Sequence, residues 1–321
     1  MRFVTYVHGG AEAAGVLAGQ RIHPLPSGTT VLDAIGRGPA GLRATGEAAL
    51  ARPAAAALEE VRLLAPFRPP TIRDFVAFEA HIEGVSKALD GLEHVPEVWY
   101  PNPAFYFTNP HAVIGPYDEV PIPPRCQVFD FETEIGAVVG TEGHDLTPEQ
   151  AREHIIGYTI FNDWSARDLQ RPEKELGLGF SKGKDSANTL GPCLVTADEL
   201  EHLRDAEGFL DLTVTVELNG QVLGKDSAAS MSWTFDELVA YASRGTWVKP
   251  GDVLGSGTCG RGCLAEIWGR AGTREPAPLS AGDVVTLTVE GIGTISNTVV
   301  ANDVEVVPLP AARRRDRGPR H

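Results

Sequence analysis

Basic residues are scarce in this sequence relative to acidic ones. The 321 residues contain 28 Lys and Arg against 43 Asp and Glu, a formal net charge of −15. This excess of negative charge opposes binding to nucleic acid or to an anionic membrane, so we expect neither as a partner. Long apolar runs are also lacking: no stretch approaches the roughly 18 residues that span a bilayer, and the first residues lack a signal-like apolar core. We therefore expect a cytoplasmic protein.

Cysteine is equally sparse, with four residues and no Cys-x-x-Cys pair. Cys259 and Cys263 have the spacing of half a zinc site, but no second half with suitable spacing accompanies them. We expect reduced, mostly buried thiols, as in cytosolic proteins.

Proline-rich residues 65–70 indicate a linker, because proline interrupts both helices and strand ladders. We predict a small N-terminal α+β domain at residues 1–68, a larger domain at 69–310 and a disordered basic tail at 311–321. Strand patterns outnumber helix patterns after the linker and show no regular βα alternation. The predicted fold class is α+β, predominantly β. The predicted strands lie at residues 112–117, 126–140, 157–163, 210–224, 263–269 and 283–300.

Local signals place turns and helix starts within this domain. Asn219-Gly220 predicts a two-residue hairpin. Thr147 and Thr234, each followed three residues later by Gln or Glu, predict helix N-termini. Thr196 and Ser165 suggest two more, each with an acidic residue three positions on.

The most informative segment is the predicted strand at residues 126–140. Side chains alternate across a strand, so Asp130, Glu132 and Glu134 should share one face. Three crowded carboxylates on a half-buried strand require protons or a bound cation. Oxygen ligands without His or Cys nearby would select Mg²⁺, Mn²⁺ or Ca²⁺ over Zn²⁺. The alternative is a solvated acidic face.

Three further acidic residues and one histidine extend this hypothesis. Asp163 ends the apolar strand at 157–163 and precedes a helix that Ser165 should cap, which leaves Asp163 available as a ligand. If residues 72–81 are helical, Asp74 and His81 project from one face. Glu266 lies between Leu264 and Trp268 in a predicted strand, an apolar setting that would raise its pKa. Each of these residues has an ordinary structural alternative.

Four segments in order resemble motifs of the fumarylacetoacetate hydrolase family. They are Phe131-Glu132-Thr133-Glu134, Asn162 to Gln170, the donor-rich Lys182 to Ser186, and Pro250 to Thr258. The resemblance covers about residues 70–305. It implies a mixed β-roll domain, with the first residues similar to the small N-terminal domain of longer members, and a homodimer.

The resemblance also implies a divalent metal, usually Mg²⁺, and a small-molecule oxo-acid substrate. The implied metal ligands are Asp74, Glu132, Glu134 and Asp163. His81 and Glu266 would activate water, and Lys182 would donate to the developing oxyanion. The residues implied to bind substrate are Arg167, Gln170, Ser186 and Thr258.

These roles indicate a metal-dependent hydrolase that cleaves a carbon–carbon bond in a 1,3-dicarbonyl substrate such as a 2,4-dioxo acid, an acylpyruvate or an aromatic-degradation intermediate. Val76 and Lys174 stand where fumarylacetoacetate hydrolase itself has substrate-contacting tyrosines, which disfavours that particular substrate. The alternatives are an oxo-acid decarboxylase, isomerase or hydratase-lyase with the same site, and a non-catalytic metal-binding paralogue.

Overall fold

The computed structural model describes residues 1–91, 94–177 and 179–313. Residues 311–313 of the predicted tail are exposed and without regular structure, and 314–321 lie outside the described residues. The strands are β1 (Arg2–His8), β2 (Ala11–Ala18), β3 (Arg21–Pro24), β4 (Ala56–Ala57), β5 (Arg62–Leu64), β6 (Ile72–Phe75), β7 (Phe105–Thr108), β8 (Val113–Ile114), β9 (Val120–Pro121), β10 (Phe129–Asp130), β11 (Thr133–Val139), β12 (Gly143–His144), β13 (Ile155–Asp163), β14 (Ser165–Ala166), β15 (Asn188–Thr196), β16 (Thr213–Leu218), β17 (Gln221–Ser227), β18 (Trp247–Val248), β19 (Val253–Gly255), β20 (Val284–Val289) and β21 (Gly293–Val300).

The helices are fewer than the strands among the described residues. They are α1 (Val31–Ile35), α2 (Gly38–Leu50), α3 (Glu79–Asp90), α4 (Pro148–His154), α5 (Arg167–Glu175), α6 (Ala197–Leu200), α7 (Phe235–Ala242) and α8 (Leu264–Ala271). The structure is therefore mixed α and β with more strand than helix, as the sequence predicts. Among the described residues, no helix combines the length and apolar character needed to cross a membrane.

A twelve-stranded sheet carries Asp74, Glu134 and Asp163, three of the predicted metal ligands. Its order is β4-β3-β2-β1-β15-β13-β11-β19-β6-β7, with β5 paired to β1 and β8 paired to β15. The N-terminal strands join this sheet through β1, which pairs antiparallel with β15. The boundary predicted near residue 68 stays a prediction. At the other end, the four adjacent strands β13, β11, β19 and β6 are completely buried, so polar side chains on them need partners inside the protein.

A second sheet has the order β17-β16-β20-β21-β9. Its β16–β17 hairpin turns at Asn219-Gly220, where both residues have positive φ, 53° and 75°. Asparagine and glycine tolerate this backbone at low cost, which is why the pair specifies a two-residue turn. The predicted hairpin is confirmed.

The predicted helix starts have mixed outcomes. Thr147 and Thr234 each form a reciprocal capping box with the residue three positions later, as expected. Ser165 instead lies in β14, where its hydroxyl donates to the carbonyl of Asp163, and α5 begins without a side-chain cap. Thr196 precedes α6 but makes no capping bond, since its hydroxyl accepts from the amino terminus.

Two segments near the site differ from the secondary structure considered for them in the sequence analysis. Residues 72–75 form the strand β6 rather than part of a helix, and all four are buried; a strand covered on both faces shows no alternation. Residues 264–271 form α8 rather than a strand. Its first amides donate to Asp130, and the Glu266 amide donates to the Cys263 sulfur at 3.4 Å. These distant and unusual caps are not visible in the local sequence pattern.

Candidate metal-dependent active site

Strand register brings three carboxylates to one edge of the large sheet. Asp74 on β6 lies opposite Gly255 on β19, and Gly255 lies opposite Gly136 on β11, two residues from Glu134. Asp163 ends β13, which runs antiparallel to β11. The end of β13 therefore meets the beginning of β11, and their acidic residues converge. Glu132 precedes β11 and joins them.

The space between these carboxylates fits a hard divalent cation. Oxygens of Asp74, Glu132 and Glu134 lie within 4.8 Å of one another. One oxygen of Asp74 and one of Asp163, both Oδ1, have no hydrogen-bond partner among the described residues. A Cβ added at Gly255 would lie 2.7 Å from Glu134 Oε2 and 2.8 Å from Asp74 Oδ1, so the glycine keeps this space open. A buried, oxygen-only donor set suits Mg²⁺, Mn²⁺ or Ca²⁺. We call Asp74, Glu132, Glu134 and Asp163 the carboxylate cage.

Burial and mutual repulsion disfavour full ionisation of the cage. Burial raises the pKa of Asp74 above its ordinary value. The pKa of Glu134 is raised well above its ordinary value by burial and then by Asp74. Burial also raises the pKa of Asp163, although Lys184 acts in the opposite direction. A bound dication would lower these pKa values again, because it stabilises the ionised carboxylates.

Lys184 and Tyr106 contact the cage and were not predicted from the sequence. The buried ammonium of Lys184 contacts carboxylate oxygens of both Glu132 and Asp163. Tyr106 lies opposite Asp74 on β7 and donates to Asp74 Oδ2 at 2.7 Å, with Asp163 also in contact. The sequence shows two lysines in one loop, but the folded backbone decides which of them turns inward.

Lys182 does not take the place predicted for it. Its side chain is 74% exposed and forms an ion pair with Asp185, three residues away. Residues 182–184 form one 3₁₀ turn, in which the buried Gly183 and Lys184 face the interior. The lysine that the structure brings to the cage is therefore Lys184.

Arg167 links the cage to the start of α8. Its guanidinium donates to Asp130 at 2.7 and 2.8 Å and forms an ion pair with Glu132 Oε1 at 2.8 Å. Burial alone would raise the pKa of Glu132, but Arg167, followed by Lys184 and His81, lowers it well below its usual range. Asp130, expected on the same face as Glu132 and Glu134, instead accepts from the first amides of α8. The strand is interrupted after Asp130, which breaks the alternation.

His81 and Glu266 form a buried pair beside the cage. His81 Nδ1 lies 3.6 Å from Glu266 Oε2, and His81 Nε2 lies 3.9 Å from Glu132 Oε1. Glu266 also accepts from the Arg261 amide and from Arg270 Nε, both at 2.8 Å. Burial would raise the pKa of Glu266, but hydrogen bonding to His81 and its charge, and then Arg270, lower it. The predicted pair is thus brought together, with Glu266 on a helix and not in the apolar setting expected.

Two glycines permit this approach. Helices α3 and α8 cross where a Cβ on Gly269 would lie 1.9 Å from the carbonyl oxygen of Gly84. A Cβ on Gly84 would lie 2.4 Å from Glu266 Cγ. The absence of both side chains lets α3 place His81 against Glu266.

A cavity of about 570 Å³ lies between α3, α5 and α8, next to Arg167. Its cationic lining residues are Lys87, Arg167, Arg171, Lys174 and Arg274, against one acidic residue, Asp168. Gln170 is buried on its wall, and its Nε2 has no partner among the described residues. Burial, and then the charge of Arg167, lower the pKa of Lys174. The cavity is therefore suited to an anionic group that also accepts hydrogen bonds.

The other two residues predicted to bind substrate do not line this cavity. Ser186 is exposed, and Thr258 is buried in the loop between β19 and α8. Of the predicted substrate-binding residues, the structure brings Arg167 and Gln170 together.

Comparison with known proteins identifies the family of this chain. A family model described as "Fumarylacetoacetate (FAA) hydrolase C-terminal" matches residues 71–300, and one described as "Rv2993c-like, N-terminal" matches residues 1–66. The chain belongs to the fumarylacetoacetate hydrolase family. The resemblance seen in the sequence motifs is confirmed.

Individual relatives include both tautomerases and a hydrolase. The chain is 33% identical to "Oxaloacetate tautomerase fahd2, mitochondrial" of Xenopus laevis over 190 residues, which are 59% of this chain and 55% of that protein. It is 31% identical to "Oxaloacetate tautomerase FAHD2A, mitochondrial" of Homo sapiens over 249 residues, 74% of each chain. The solved structure of a fumarylacetoacetate hydrolase from Exiguobacterium antarcticum superimposes with a TM-score of 0.71 at 28% identity, covering 94% of this chain and 100% of that one.

Proposed function

We propose that this chain is a divalent-cation-dependent enzyme that interconverts the keto and enol forms of a 2-oxo dicarboxylic acid. The observation that carries the proposal is the buried His81–Glu266 pair beside a carboxylate cage suited to a cation. A cation held by Asp74, Glu132, Glu134 and Asp163 would supply the positive charge that stabilises an enolate. Mg²⁺ and Mn²⁺ both suit these ligands.

The side chains of the protein supply the proton transfer. Neutral His81 can accept a proton from the carbon next to a carbonyl group and return it to the other form of the substrate. Glu266 orients the imidazole and stabilises its protonated form, and Arg261 and Arg270 keep Glu266 itself in place. Such a positioned base contributes about 10²–10⁴-fold to a rate.

The basic cavity supports the choice of a dicarboxylic acid. Arg167 forms an ion pair with Glu132 of the cage and also lines the cavity, so its guanidinium would lie between a cation in the cage and an anionic group in the cavity. Lys174 and Arg171 line the cavity and would pair with a second carboxylate. Two relatives named as oxaloacetate tautomerases support the same substrate class.

Hydrolysis of a carbon–carbon bond in a 2,4-dioxo acid is the second candidate. The His81–Glu266 pair is also an arrangement that activates water, and the Exiguobacterium antarcticum relative is named a hydrolase. The two reactions differ in their products: tautomerisation leaves the carbon skeleton intact, whereas hydrolysis yields two acids.

One assay separates these functions. The purified protein with Mg²⁺ is given enol oxaloacetate, whose ultraviolet absorbance falls as the keto form appears, and separately acylpyruvates, whose products are identified by chromatography. We expect the enol band to disappear faster than in buffer alone. His81→Asn should lower the catalysed rate about 10²-fold or more. His111→Asn, which changes an exposed histidine, should keep the wild-type rate. Cleavage of acylpyruvates without oxaloacetate tautomerisation would select the hydrolase. Carbon dioxide release would indicate a decarboxylase, and tight Mg²⁺ binding without turnover of any substrate would indicate a non-catalytic paralogue.

We also propose that the chain acts as a cytoplasmic homodimer. All four cysteines are free, the state that a reducing compartment favours. Val307 and Leu309 near the C-terminus are 80% and 90% exposed, which supports contact with a second copy. Light scattering that gives the mass of one chain at micromolar concentration would contradict the dimer.

A further inference from the structure

A second group of metal-ligating side chains lies next to the carboxylate cage. His81 at the start of α3, Glu132 before β11 and Cys263 before α8 each offer one ligand atom, and these atoms lie within 4.8 Å of one another. The Cys263 sulfur is 3.8 Å from His81 Nδ1. All three residues are buried, so the group is formed by the fold and not by chance contact of mobile surface side chains.

The chemistry of this group differs from that of the cage. A thiolate, an imidazole and a carboxylate together suit Zn²⁺ and similar soft or borderline cations, whereas Mg²⁺ and Ca²⁺ prefer oxygen ligands alone. Three protein ligands are the number found in open zinc sites, which keep a position for water or another ligand.

The metal-ligating residues grouped with Cys263 are His81 and Glu132, and Cys259 is not among them. Cys259 and Cys263 have the spacing of half a zinc site, but the Cys259 thiol donates to the carbonyl of Thr133 at 3.0 Å and is not part of this group. The fold brings His81 and Glu132 to Cys263 from 182 and 131 residues away in the sequence.

We propose that His81, Glu132 and Cys263 form a second metal site, selective for Zn²⁺ over Mg²⁺, whose occupation blocks catalysis. Binding forms coordinate bonds to the imidazole nitrogen, a carboxylate oxygen and the sulfur, and the thiol proton passes to solvent. His81 then has no lone pair for proton transfer, and Glu132 is shared with the cage. The metal binding stands without the proposed function, whereas the inhibition rests on it.

Cobalt spectroscopy tests the binding directly. Co²⁺ is added to the protein with Mg²⁺ present, and thiolate-to-cobalt charge-transfer absorption is measured in wild type, Cys263→Ser and Cys259→Ser. Serine keeps an N-cap for α8 but removes the soft ligand. We expect the band in wild type and Cys259→Ser and its loss in Cys263→Ser. The Zn²⁺ affinity of Cys263→Ser should be at least about 100-fold weaker, because mutation of residues that only support metal ligands already lowers metal affinity 10–100-fold.

A variant that keeps Cys263 as its sole cysteine supplies a positive assignment if Cys263→Ser does not fold. It must retain the cobalt band. Absence of the band from wild type, or its persistence in folded Cys263→Ser, overturns the site.

Inhibition is measured separately. Zn²⁺ is titrated into the Mg²⁺-loaded enzyme during turnover of its best substrate. We expect inhibition of wild type and Cys259→Ser at Zn²⁺ concentrations at least about 100-fold below those needed for Cys263→Ser. A cobalt band without Zn²⁺ inhibition would overturn the blocking role of the site but not the site itself. An enzyme inactive on all substrates would refute the proposed function, and the cobalt result would still decide the binding.

Discussion

Replacing Lys184 with methionine tests the electrostatics of the cage. Methionine keeps an unbranched stem but removes the ammonium that contacts Glu132 and Asp163. Breaking a buried ion pair costs about 3–5 kcal/mol, because a carboxylate is left without its partner. An unfolding entropy of about 2.1 cal/mol/K per residue gives about 1.5 °C per kcal/mol for 321 residues. The melting temperature in EDTA should therefore fall by roughly 4–8 °C. Lys182→Met is the matched control, since its exposed pair with Asp185 is worth about 0–1 kcal/mol.

The pH dependence of this effect follows from the signs of the pKa shifts. Lys184 lowers the pKa of both Glu132 and Asp163, so its removal raises both. As pH rises, Glu132 and Asp163 ionise in the variant without the balancing ammonium. The difference in melting temperature between wild type and the variant should therefore grow from pH 5 to pH 8. Thermal unfolding in EDTA at both values measures this. Equal melting temperatures for Lys184→Met and Lys182→Met, or a deficit that shrinks with pH, would refute the reasoning.

Two other properties should follow from the same site. Burial raises the pKa values of Asp74 and Glu134, so these carboxyl groups hold protons in the metal-free protein. The stability that this protonation contributes is fully present below the ordinary carboxylate pKa and is lost as pH rises through the raised values. Mg²⁺ binding should therefore release protons and strengthen tenfold per pH unit for each proton released; calorimetric heats identical in buffers of different ionisation enthalpy would contradict this. Gly269→Ala should separate α3 from α8 at Gly84, lowering stability by about 1–3 kcal/mol and reducing turnover more than Mg²⁺ affinity; a wild-type melting temperature and rate would exclude the proposed role of the crossing.

The sequence predicts the cage better than its surroundings. Asp74, Glu132, Glu134 and Asp163 were identified from an acidic strand and family motifs, and the structure brings all four together. The acidic strand indicates protons or a bound cation because carboxylates on buried strands are costly without a partner. Asp130 shares the same pattern but accepts from the amides of α8, since a break in the strand turns it away.

The rest depends on contacts between distant segments. The predicted strand at α8 was wrong, and the helix considered for the segment that contains β6 does not include residues 72–75, because Asp130 and the buried sheet environment act across the chain. Which lysine faces the cage is decided by one 3₁₀ turn. Tyr106 was missed because its partner, Asp74, is defined by the register of β6 and β7, which local patterns do not specify.

Direct measurement of cation binding tests the central claim of this account. Isothermal titration of Mg²⁺ or Mn²⁺ into chelator-treated protein should show one strong site per chain, and Glu134→Gln, which keeps the shape of the side chain and removes one charge from the cage, should abolish it. Binding of no ion by wild type, or unchanged affinity in Glu134→Gln, would contradict the claim that these buried carboxylates hold a cation.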